Sequence, residues 1–289
     1  LSSALRASAT LAVSVTDIND NAPVLTPLFS QFTVPENQPA GHRVTTLSAS
    51  DRDTGFNAFL EYSLVAGDDG NDFAVSVAGV VATRRPLDHE TTPSYDLTVS
   101  VCNPVVPRLC SNGTVRVLVG DANDNAPVFE AHMNPVMVAE SAIVGSQVLQ
   151  LSARDADGPG VNSQLTYVIS TGNTDNVFSV DRTSGLVRLA KSVDYEARTA
   201  YKLVLLVMDS GVPVQLGNTT LDVNIQDVND NSPVFQQTVT SLTVAESTAA
   251  NTVIRTITAT DADSGTFGQL TYTLNGSGSE RFRVSSRGA

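Results

Sequence analysis

The sequence has no tryptophan, three histidines and two cysteines, and only 6% of its residues are aromatic. It is also poor in basic residues, with 17 against 30 acidic ones, so the formal net charge is −13. A chain this acidic repels nucleic acids and anionic membrane surfaces. Histidine and cysteine are too scarce to supply a zinc centre. We therefore expect neither nucleic-acid binding nor a soft-metal site.

Long apolar runs are also missing. No stretch is long enough to cross a bilayer, and no basic-then-apolar signal segment stands at the start. The sequence pattern begins and stops in mid-repeat, at Leu1 and Ala289. We interpret the chain as an internal piece of a longer protein, and expect any membrane attachment to come from segments outside it.

An acidic string is repeated along the chain. Asp-Xaa-Asn-Asp-Asn-Xaa-Pro begins at residues 17, 121 and 227, which gives spacings of 104 and 106 residues. Three other motifs recur in the same order. They are a glutamate at 36, 140 and 246, an Asp-Xaa-Asp at 51–53, 155–157 and 261–263, and an Asp-Xaa-Glu at 88–90 and 194–196. This regularity indicates tandem repeats of about one hundred residues.

Between the motifs, apolar residues alternate with polar or small ones, which is typical of half-buried strands. The alternation precedes each acidic string, at 11–15, 115–119 and 221–225. In the middle repeat seven strands are predicted to begin near residues 136, 148, 165, 178, 186, 202 and 220. Seven short strands without helical periodicity predict an all-β fold of tandem seven-stranded, Greek-key, immunoglobulin-like sandwiches.

The repeat boundaries follow from the acidic strings. Residues 1–22 would be the end of a truncated repeat, 23–126 and 127–232 two whole repeats, and 233–289 the first half of a fourth. The linkers are short and rich in potential metal ligands. Asp-Xaa-Asn-Asp-Asn offers four side-chain oxygen donors in five residues, and Ca²⁺ takes six to eight oxygens. Mg²⁺ remains an alternative, although it prefers a tighter octahedral shell.

Taken together, these motifs resemble the cadherin superfamily across essentially the whole chain, and a non-classical or large multi-repeat cadherin in particular. The resemblance implies up to three calcium ions in each complete linker between repeats. It implies calcium-dependent adhesion or recognition on the extracellular side of the plasma membrane, by a calcium-stiffened rod. The partners would be cadherin repeats of the same or another protein, with no small-molecule substrate and no catalysis.

The resemblance also implies a ligand set for the linker between the two whole repeats. Two ions nearer the first repeat would be held by Glu36, Asp88, Glu90, Asp121 and Asp124, with Asp157 reaching back to the middle ion. A third ion would be held by Asp155, Asp157, Asn123 and Asp209, with backbone oxygens of Asn125 and Asn162. In the next linker the corresponding residues are Glu140, Asp194, Glu196, Asp227, Asn229, Asp230, Asp261 and Asp263, with backbone oxygens of Val228, Asn231 and Phe267.

The first linker departs from the family pattern. It lacks the glutamate and the Asp-Xaa-Glu of a preceding repeat, and can offer only Asp17, Asn19, Asp20, Asp51, Asp53 and Asn103. Asn103 stands where Asp209 stands one repeat later, so the third ion would lose one negative charge. We expect at most one well-formed ion site in this linker.

Two further features are additions to the scaffold. Cys102 and Cys110 are close in sequence and can bridge only if a turn brings them together, so a disulfide in a hairpin is predicted, with two free thiols as the alternative. Asn112, Asn218 and Asn275 begin Asn-Xaa-Ser/Thr triplets, which also arise often by chance.

Two alternative functions are distinguishable. Calcium-dependent carbohydrate binding in a secreted or microbial surface protein would need an exposed aromatic platform, which the sequence does not indicate. An enzyme with paired carboxylates, such as a glycosidase, would need those acids in a cleft. Here the acids lie in short polar linkers, and we expect no catalytic site.

Overall fold

The structure, a computed structural model, describes residues 5–238 and 241–288. Over those ranges it contains β-strands and three short 3-10 helices, at Gly55–Ala58, Thr174–Asn176 and Ser279–Arg281, and no α-helix. None of the described helices has the length and apolar character needed to cross a membrane. The chain divides into two compact units, residues 1–125 with 156–162, and residues 126–155 with 163–289.

The first unit is built from two sheets and one short ladder. Its described strands are β1 (Val24–Leu25), β2 (Phe29–Pro35), β3 (Arg43–Thr46), β4 (Ala49–Ser50), β5 (Glu61–Ala66), β6 (Phe73–Val75), β7 (Val80–Thr83), β8 (Ser94–Cys102) and β9 (Cys110–Gly120). One sheet has the order β2-β9-β8-β5 and the other β3-β7-β6, while β1 pairs with β4. Among these pairs β2 and β9 run parallel, and the others are antiparallel.

The core of the first unit follows the period of two predicted from the sequence. On β9, Val115, Val117 and Val119 point inward and are almost fully buried. They pack in one cluster with Phe73 of β6 and Val81 of β7, which belong to the other sheet. Since alternate residues of a strand face opposite sides of its sheet, the residues between these valines lie on the outer face.

The second unit repeats this arrangement. Its described strands are β10 (Val128–Phe129), β11 (Val136–Ala139), β12 (Gln147–Gln150), β13 (Ala153–Arg154), β14 (Thr166–Thr171), β15 (Phe178–Val180), β16 (Leu186–Leu189), β17 (Ala200–Met208), β18 (Leu216–Gln226), β19 (Val234–Phe235) and β20 (Ala259–Thr260). The sheets have the orders β11-β18-β17-β14 and β12-β16-β15, with two-stranded ladders β10-β13 and β19-β20. β11 runs parallel to β18.

The all-β prediction is confirmed in detail for the middle repeat. Each of its seven predicted strands is present and begins within four residues of the expected position. The two-residue strands β10 and β13 were not predicted, because two residues are too few to show a period. Leu221, Val223 and Ile225 of β18 are buried as the alternation requires.

The predicted strand at 11–15 is wrong. Residues 11–15 form no strand, and the side chains of Leu11, Val13 and Val15 are exposed. The alternation gives a segment one apolar face, but a strand also needs a neighbouring strand for its backbone hydrogen bonds. No residue of this chain pairs with the segment in the described structure.

Candidate metal centres

Three acidic linkers lie at 17–23, 121–127 and 227–233, which we call the first, central and third linkers. The central and third linkers begin directly after β9 and β18, which end at Gly120 and Gln226. The site residues of the first and central linkers belong to the first unit, except where stated. Those of the third linker belong to the second unit.

Each linker fixes the second aspartate of an Asp-Xaa-Asp motif through its own asparagine. In the central linker, Asn125 donates its backbone N–H and its side-chain Nδ2 to Asp157 Oδ1, at 3.1 and 2.8 Å. The three equivalent pairs are Asn21 with Asp53, Asn125 with Asp157, and Asn231 with Asp263. Asn125 and Asn231 were predicted only as backbone-oxygen ligands and Asn21 was not predicted as a ligand; their role as double donors could not be read from the motif.

The first aspartate of each linker also accepts two hydrogen bonds, from residues that follow the Asp-Xaa-Asp motif. Asp17 Oδ2 accepts from the backbone N–H of Thr54 and from Asn57 Nδ2, both at 2.9 Å. The Thr54 bond, and then the Asn57 bond, lower the pKa of Asp17. Asp121 accepts from the backbone N–H of Gly158 and from Asn162 Nδ2, whereas Asp227 accepts from the backbone N–H and the hydroxyl of Ser264. Local donors therefore hold these carboxylates in place, and at Asp17 they favour the ionised form.

Two buried glutamates are anchored by backbone groups. Glu36 accepts from the N–H of Ala122 at 2.6 Å through Oε1 and from the N–H of His89 at 2.8 Å through Oε2. Glu140 makes the same two kinds of bond in the second unit, at 2.7 Å each. Burying an ionised carboxylate is costly unless it is hydrogen-bonded, and each oxygen keeps a further lone pair for another partner.

In the central linker these residues converge. The carboxylates of Glu36, Glu90 and Asp124 have oxygens within 4.8 Å of one another, and so do those of Glu90, Asp121 and Asp157. Glu90 belongs to both groups. The predicted pair of ions nearer the first repeat would require such a shared carboxylate.

One predicted ligand of the central linker lies outside both groups. The carboxylate of Asp88 accepts from Thr91, at 3.0 Å from the backbone N–H and 2.8 Å from the hydroxyl. The hydroxyl bond, and then the backbone bond, lower the pKa of Asp88. Asp88 is therefore engaged by its own turn and belongs to neither close group, although it shares a motif with Glu90.

The third linker also has two groups of close acids in the second unit, but not all of their members are counterparts of the central-linker acids. Asp194 corresponds to Asp88 and belongs to one of them, whereas Asp227 corresponds to Asp121 and belongs to neither. Both groups share one glutamate. They are Glu140, Asp194 and Glu196, and Glu196, Asp230 and Asp263, with the same 4.8 Å limit. Because both linkers show two groups joined by the glutamate of the Asp-Xaa-Glu motif, the clustering follows from the repeat and not from one chance arrangement.

The crowded carboxylates are electrostatically unfavourable without a cation. Lost hydration around its carboxyl raises the pKa of Glu90 to about 7, and repulsion from Glu36 and Asp124 acts in the same direction. Desolvation, followed by repulsion from Glu140, likewise raises the pKa of Asp230. A nearby positive charge would reverse this penalty.

The donor set fits a hard divalent cation. Basic side chains that form ion pairs, such as Arg116 with Asp96 and Lys202 with Asp222, take acids outside the linkers. Asp227 Oδ1 and Asp263 Oδ2 are buried and have no hydrogen-bond partner in the described structure. Buried oxygens of this kind, together with carboxylates and amide oxygens, are the ligands that Ca²⁺ takes.

The set predicted for the third ion of the central linker is divided between the units. Asn123 is buried in the first unit, whereas Asp155 and Asp209 belong to the second. Asp209 accepts from the backbone N–H groups of Gly211 and Gln215, both at 3.0 Å. Its carboxylate is thus oriented by its own loop.

The corresponding set of the third linker is only partly assembled. Asp261 accepts from the backbone N–H of Asp263 at 3.0 Å, which fixes the two acids of that motif relative to each other. Asn229 is exposed. Asp261 belongs to neither of the close acid groups of this linker.

The first linker differs from the other two. Over residues 5–238 and 241–288, no group of three close carboxylates occurs there. Asn103 is fully buried, and its Nδ2 donates to Asp51 Oδ2 at 2.9 Å and to the carbonyl oxygens of Asn57 and Phe59 at 2.8 and 3.3 Å. An amide N–H thus lies where oxygen acceptors converge. This is the place of the predicted third ion.

The remaining first-linker residues are held locally. Asn19 is buried and donates to the carbonyl of Pro107 at 2.5 Å. Asp20 is exposed and accepts from Asn21 at 2.7 Å. The linker is thus tied to the loop 103–109 by a side-chain contact that spans 88 residues of sequence.

A disulfide closes that same loop. Cys102 ends β8, Cys110 begins β9, and the two are bonded to each other. The predicted disulfide is confirmed. Because the closed loop carries both Asn103 and Pro107, the bridge restrains the two residues that contact the first linker and its neighbouring acids.

One sequence-based expectation about aromatic residues is corrected. Phe56 and Phe59 lie at the 3-10 helix Gly55–Ala58, 74% and 54% exposed, with ring centroids 5.1 Å apart. An exposed aromatic pair therefore exists. The rings meet edge to face at 75°, so they do not form one flat stacking surface.

Comparison with known proteins places this geometry in a family. The family model for the cadherin domain matches residues 30–120 and 134–226. The chain is 38% identical to protocadherin-16 of Homo sapiens over 96% of its own length and 9% of that protein. It is 36% identical to protocadherin Fat 4 of Mus musculus over 96% of its length and 6% of that protein. The chain thus spans less than a tenth of these relatives.

Solved structures agree with the sequence relatives. The crystal structure of mouse cadherin-23 EC22-24 matches 93% of this chain and 87% of that one, with a TM-score of 0.81 and 28% identity. The protocadherin GammaB4 extracellular domain matches 94% of this chain and 45% of that one, with a TM-score of 0.77 and 28% identity. Two domain matches, the relatives and the shared fold lead to one conclusion: the chain belongs to the cadherin family.

Proposed function

We propose that this chain is a calcium-binding stretch of an extracellular cadherin ectodomain and acts in cell adhesion or recognition. Its partners would be cadherin repeats of the same or another protein. It would reach the outer side of the plasma membrane as part of a membrane-anchored protein, with no catalytic role. The observation that carries the proposal is the set of close carboxylate groups, two in the central linker joined by Glu90 and two in the third joined by Glu196.

The proposed organisation is two whole repeats, 23–126 and 127–232, flanked by parts of two others. Each acid group combines residues from distant points of one unit. Glu36 is held by the backbone N–H of His89, and Asp157 by the side-chain amide of Asn125. Such prior positioning lowers the entropy cost of binding. Calcium, when bound, would supply the positive charge and a shell of six to eight oxygens.

The proposed mechanical role follows from charge. Eight carboxylates are assigned to the central linker, and three divalent ions would neutralise six of those charges. Without ions the acids repel one another, over a Debye length of about 8–10 Å at ordinary salt. Extracellular modules bind calcium at roughly 0.1–1 mM, so the linkers would fill outside a cell and empty in the cytosol. Filled linkers would be stiff and would present adhesive surfaces in fixed positions.

A calcium titration of the full chain tests this proposal. Asp124 is assigned to a central-linker group with Glu36 and Glu90, so Asp124→Ala should remove part of the calcium stoichiometry and weaken the remaining central-linker binding about tenfold or more. Isothermal titration calorimetry measures both. Asp96→Ala is the matched control, because Asp96 is an exposed strand residue that faces Arg116 at 3.5 Å outside the linkers. An unchanged titration of Asp124→Ala would remove it from the site.

The alternative of carbohydrate binding has one supporting observation, the exposed Phe56 and Phe59 pair. Sugar binding would be lost in a Phe56→Ala, Phe59→Ala variant that still binds calcium. A glycan array without a signal for the wild-type chain would dismiss this alternative.

A further inference from the structure

Two Asn-Xaa-Thr triplets occupy equivalent strands in the two units. One begins at Asn112 on β9 and the other at Asn218 on β18. Asn112 is opposite Ser100 in the β8–β9 ladder, and Asn218 is opposite Leu206 in the β17–β18 ladder. The two asparagines are 106 residues apart, which is the spacing of the acidic strings that follow them.

The strand alternation puts both triplets on outer faces. Val115 of β9 points into the core, so Asn112 and Thr114, an odd number of residues away, point outward. On β18 the buried Leu221 sets the same phase, and Asn218 is exposed. An asparagine and a threonine two residues apart on one strand necessarily share a face. The acceptor amide and the hydroxyl of each triplet are therefore presented together.

Neither acceptor amide has a structural task in the described part of the chain. The side chains of Asn112 and Asn218 make no hydrogen bond there, in contrast to Asn103 and Asn125, which hold buried acids and carbonyls. A group attached to either nitrogen would break no existing contact. It would also need no rearrangement of the ladder, since the backbone bonds of a strand lie in the plane of its sheet.

We propose that Asn112 and Asn218 carry N-linked glycans that cover the outer face of the four-stranded sheet in each unit. In the reaction, the side-chain amide nitrogen forms a bond to C1 of the sugar of a lipid-linked oligosaccharide. The lipid diphosphate leaves with the electron pair of the broken C–O bond, and the amide loses one proton. The proposal rests on the extracellular route of the proposed function, because such donors are met on the secretory path.

The residues around Asn218 show why a glycan suits this face. Val204, Leu206 and Met208 of β17 share the outer face with Leu216 of β18, which is 54% exposed. Directly opposite and diagonal neighbours in a ladder are only about 5–8 Å apart, well within the reach of the first sugars. Val204, Leu206 and Met208 are half-buried, so with Leu216 they leave a partly exposed apolar strip, and such surface marks a binding site or a liability when it is large. A glycan would shield it from water and from other chains.

Around Asn112 the covered feature is the disulfide. Cys102 and Cys110 form the next pair beyond Ser100 and Asn112 in the same ladder, with Cys110 exposed and both Cys102 and Ser100 buried. Ser100 Oγ lies 3.6 Å from Cys102 Sγ. A glycan at Asn112 would stand beside the exposed Cys110 and restrict the approach of a reducing agent to that side of the bridge. Adhesive contacts of both repeats would then use surfaces other than these two sheet faces.

The test is expression of the chain with an added signal sequence, secretion from animal cells and site-resolved mass spectrometry. Thr114→Ala and Thr220→Ala destroy one triplet each without changing the asparagine, while Thr114→Ser and Thr220→Ser keep it. We expect one glycan to be lost in each alanine variant and none in the serine variants. Amidase removal of the glycans should convert Asn112 and Asn218 to aspartate and speed disulfide reduction about twofold or more.

Unmodified Asn112 and Asn218 peptides in secreted protein with an intact Cys102–Cys110 bridge would overturn the proposal. Modified sites with an unchanged reduction rate would overturn the shielding at Asn112. Calcium titration of the same preparation separates the two hypotheses, because linker binding does not depend on the glycans. A secreted chain that binds calcium but carries no glycan would leave the proposed function standing and remove this inference alone.

Discussion

Asn103 and Asp209 occupy equivalent places in successive repeats. One is an amide that can donate hydrogen bonds to nearby oxygens, and the other is a carboxylate that can only accept them. Asp209 presents two acceptor oxygens, already held by backbone N–H groups of its own loop. Asn103 instead directs its amide hydrogens at Asp51 and the carbonyl of Asn57. The amide therefore satisfies acceptors that a cation would satisfy elsewhere. The first linker should depend less on calcium than its successors.

This residue-scale argument predicts the effect of Asn103→Asp. The new carboxylate would face Asp51 and two carbonyl oxygens in a fully buried place, so in chelator it should lower the free energy of unfolding of the first unit by about 1–3 kcal/mol. Calcium should recover most of this loss, because the new carboxylate oxygen would complete the set of oxygen ligands around the ion. Thermal melts in chelator and in millimolar calcium measure the difference between the two conditions.

Asp209→Asn is the matched reverse variant, and it should reduce the calcium-dependent increase in Tm of the second unit. If Asn103→Asp melts at the same temperature with and without calcium, the amide does not stand in for a cation.

At the scale of single elements, a glycine follows the same strand in both units. Gly67 comes directly after β5 with a φ of +83°, and Gly172 directly after β14 with a φ of +84°. A Cβ at Gly172 would overlap the carbonyl oxygen of Lys202, and one at Gly67 would overlap that of Asp96. The chain passes so close to the neighbouring strand that only a hydrogen fits. Glycine is therefore required for two reasons: no side chain fits beside the neighbouring strand, and the backbone has a positive φ.

We therefore predict that Gly172→Ala lowers the free energy of unfolding of the second unit by about 3 kcal/mol or more, from the steric overlap added to the cost of a left-handed conformation. Gly145→Ala is the control. Gly145 has a similar φ of +93° but no atom within 4 Å of an added Cβ, so its replacement should cost only about 1–2 kcal/mol. Urea unfolding of the full chain measures both, and equal losses would contradict the close-approach argument.

At the scale of the whole molecule, the two kinds of stabilising interaction are separated along the chain. The apolar clusters lie within each unit and include the fully buried Val117 in the first and Val223 in the second. The acid groups are built instead from residues of the repeated acidic motifs. Removing an ion from a linker should therefore leave the packing of the cores intact and change how freely the repeats move.

The whole-molecule prediction is that chelation loosens the linkers before it melts the sandwiches. Small-angle scattering of the full chain should show a wider spread of dimensions in chelator than in calcium. Circular dichroism should keep its β signal at low temperature, with a lower Tm, because an ion at a hundred times its Kd contributes about 2.7 kcal/mol to the native state. Superimposable scattering curves would show that the ions do not set linker stiffness.

Much of this protein follows from sequence alone. Side chains on a strand alternate between two faces, so the buried valines of β9 and the seven strands of the middle repeat could be predicted from local pattern. The chemical type of the candidate site was equally predictable, because oxygen-rich motifs repeated at one spacing favour a hard cation. Both inferences depend on residue type and on the spacing of residues close together in the sequence.

Only the tertiary structure decided how those residues meet. Residues 11–15 have a strand pattern but no partner strand in the described structure, and pairing is a non-local property. Glu90 joins two acid groups while Asp88 turns to Thr91, although both acids belong to one motif. Asn103 faces Asp51 from a distance of 52 residues along the chain. Such contacts depend on the folding of separate segments onto one another, and no local period encodes them.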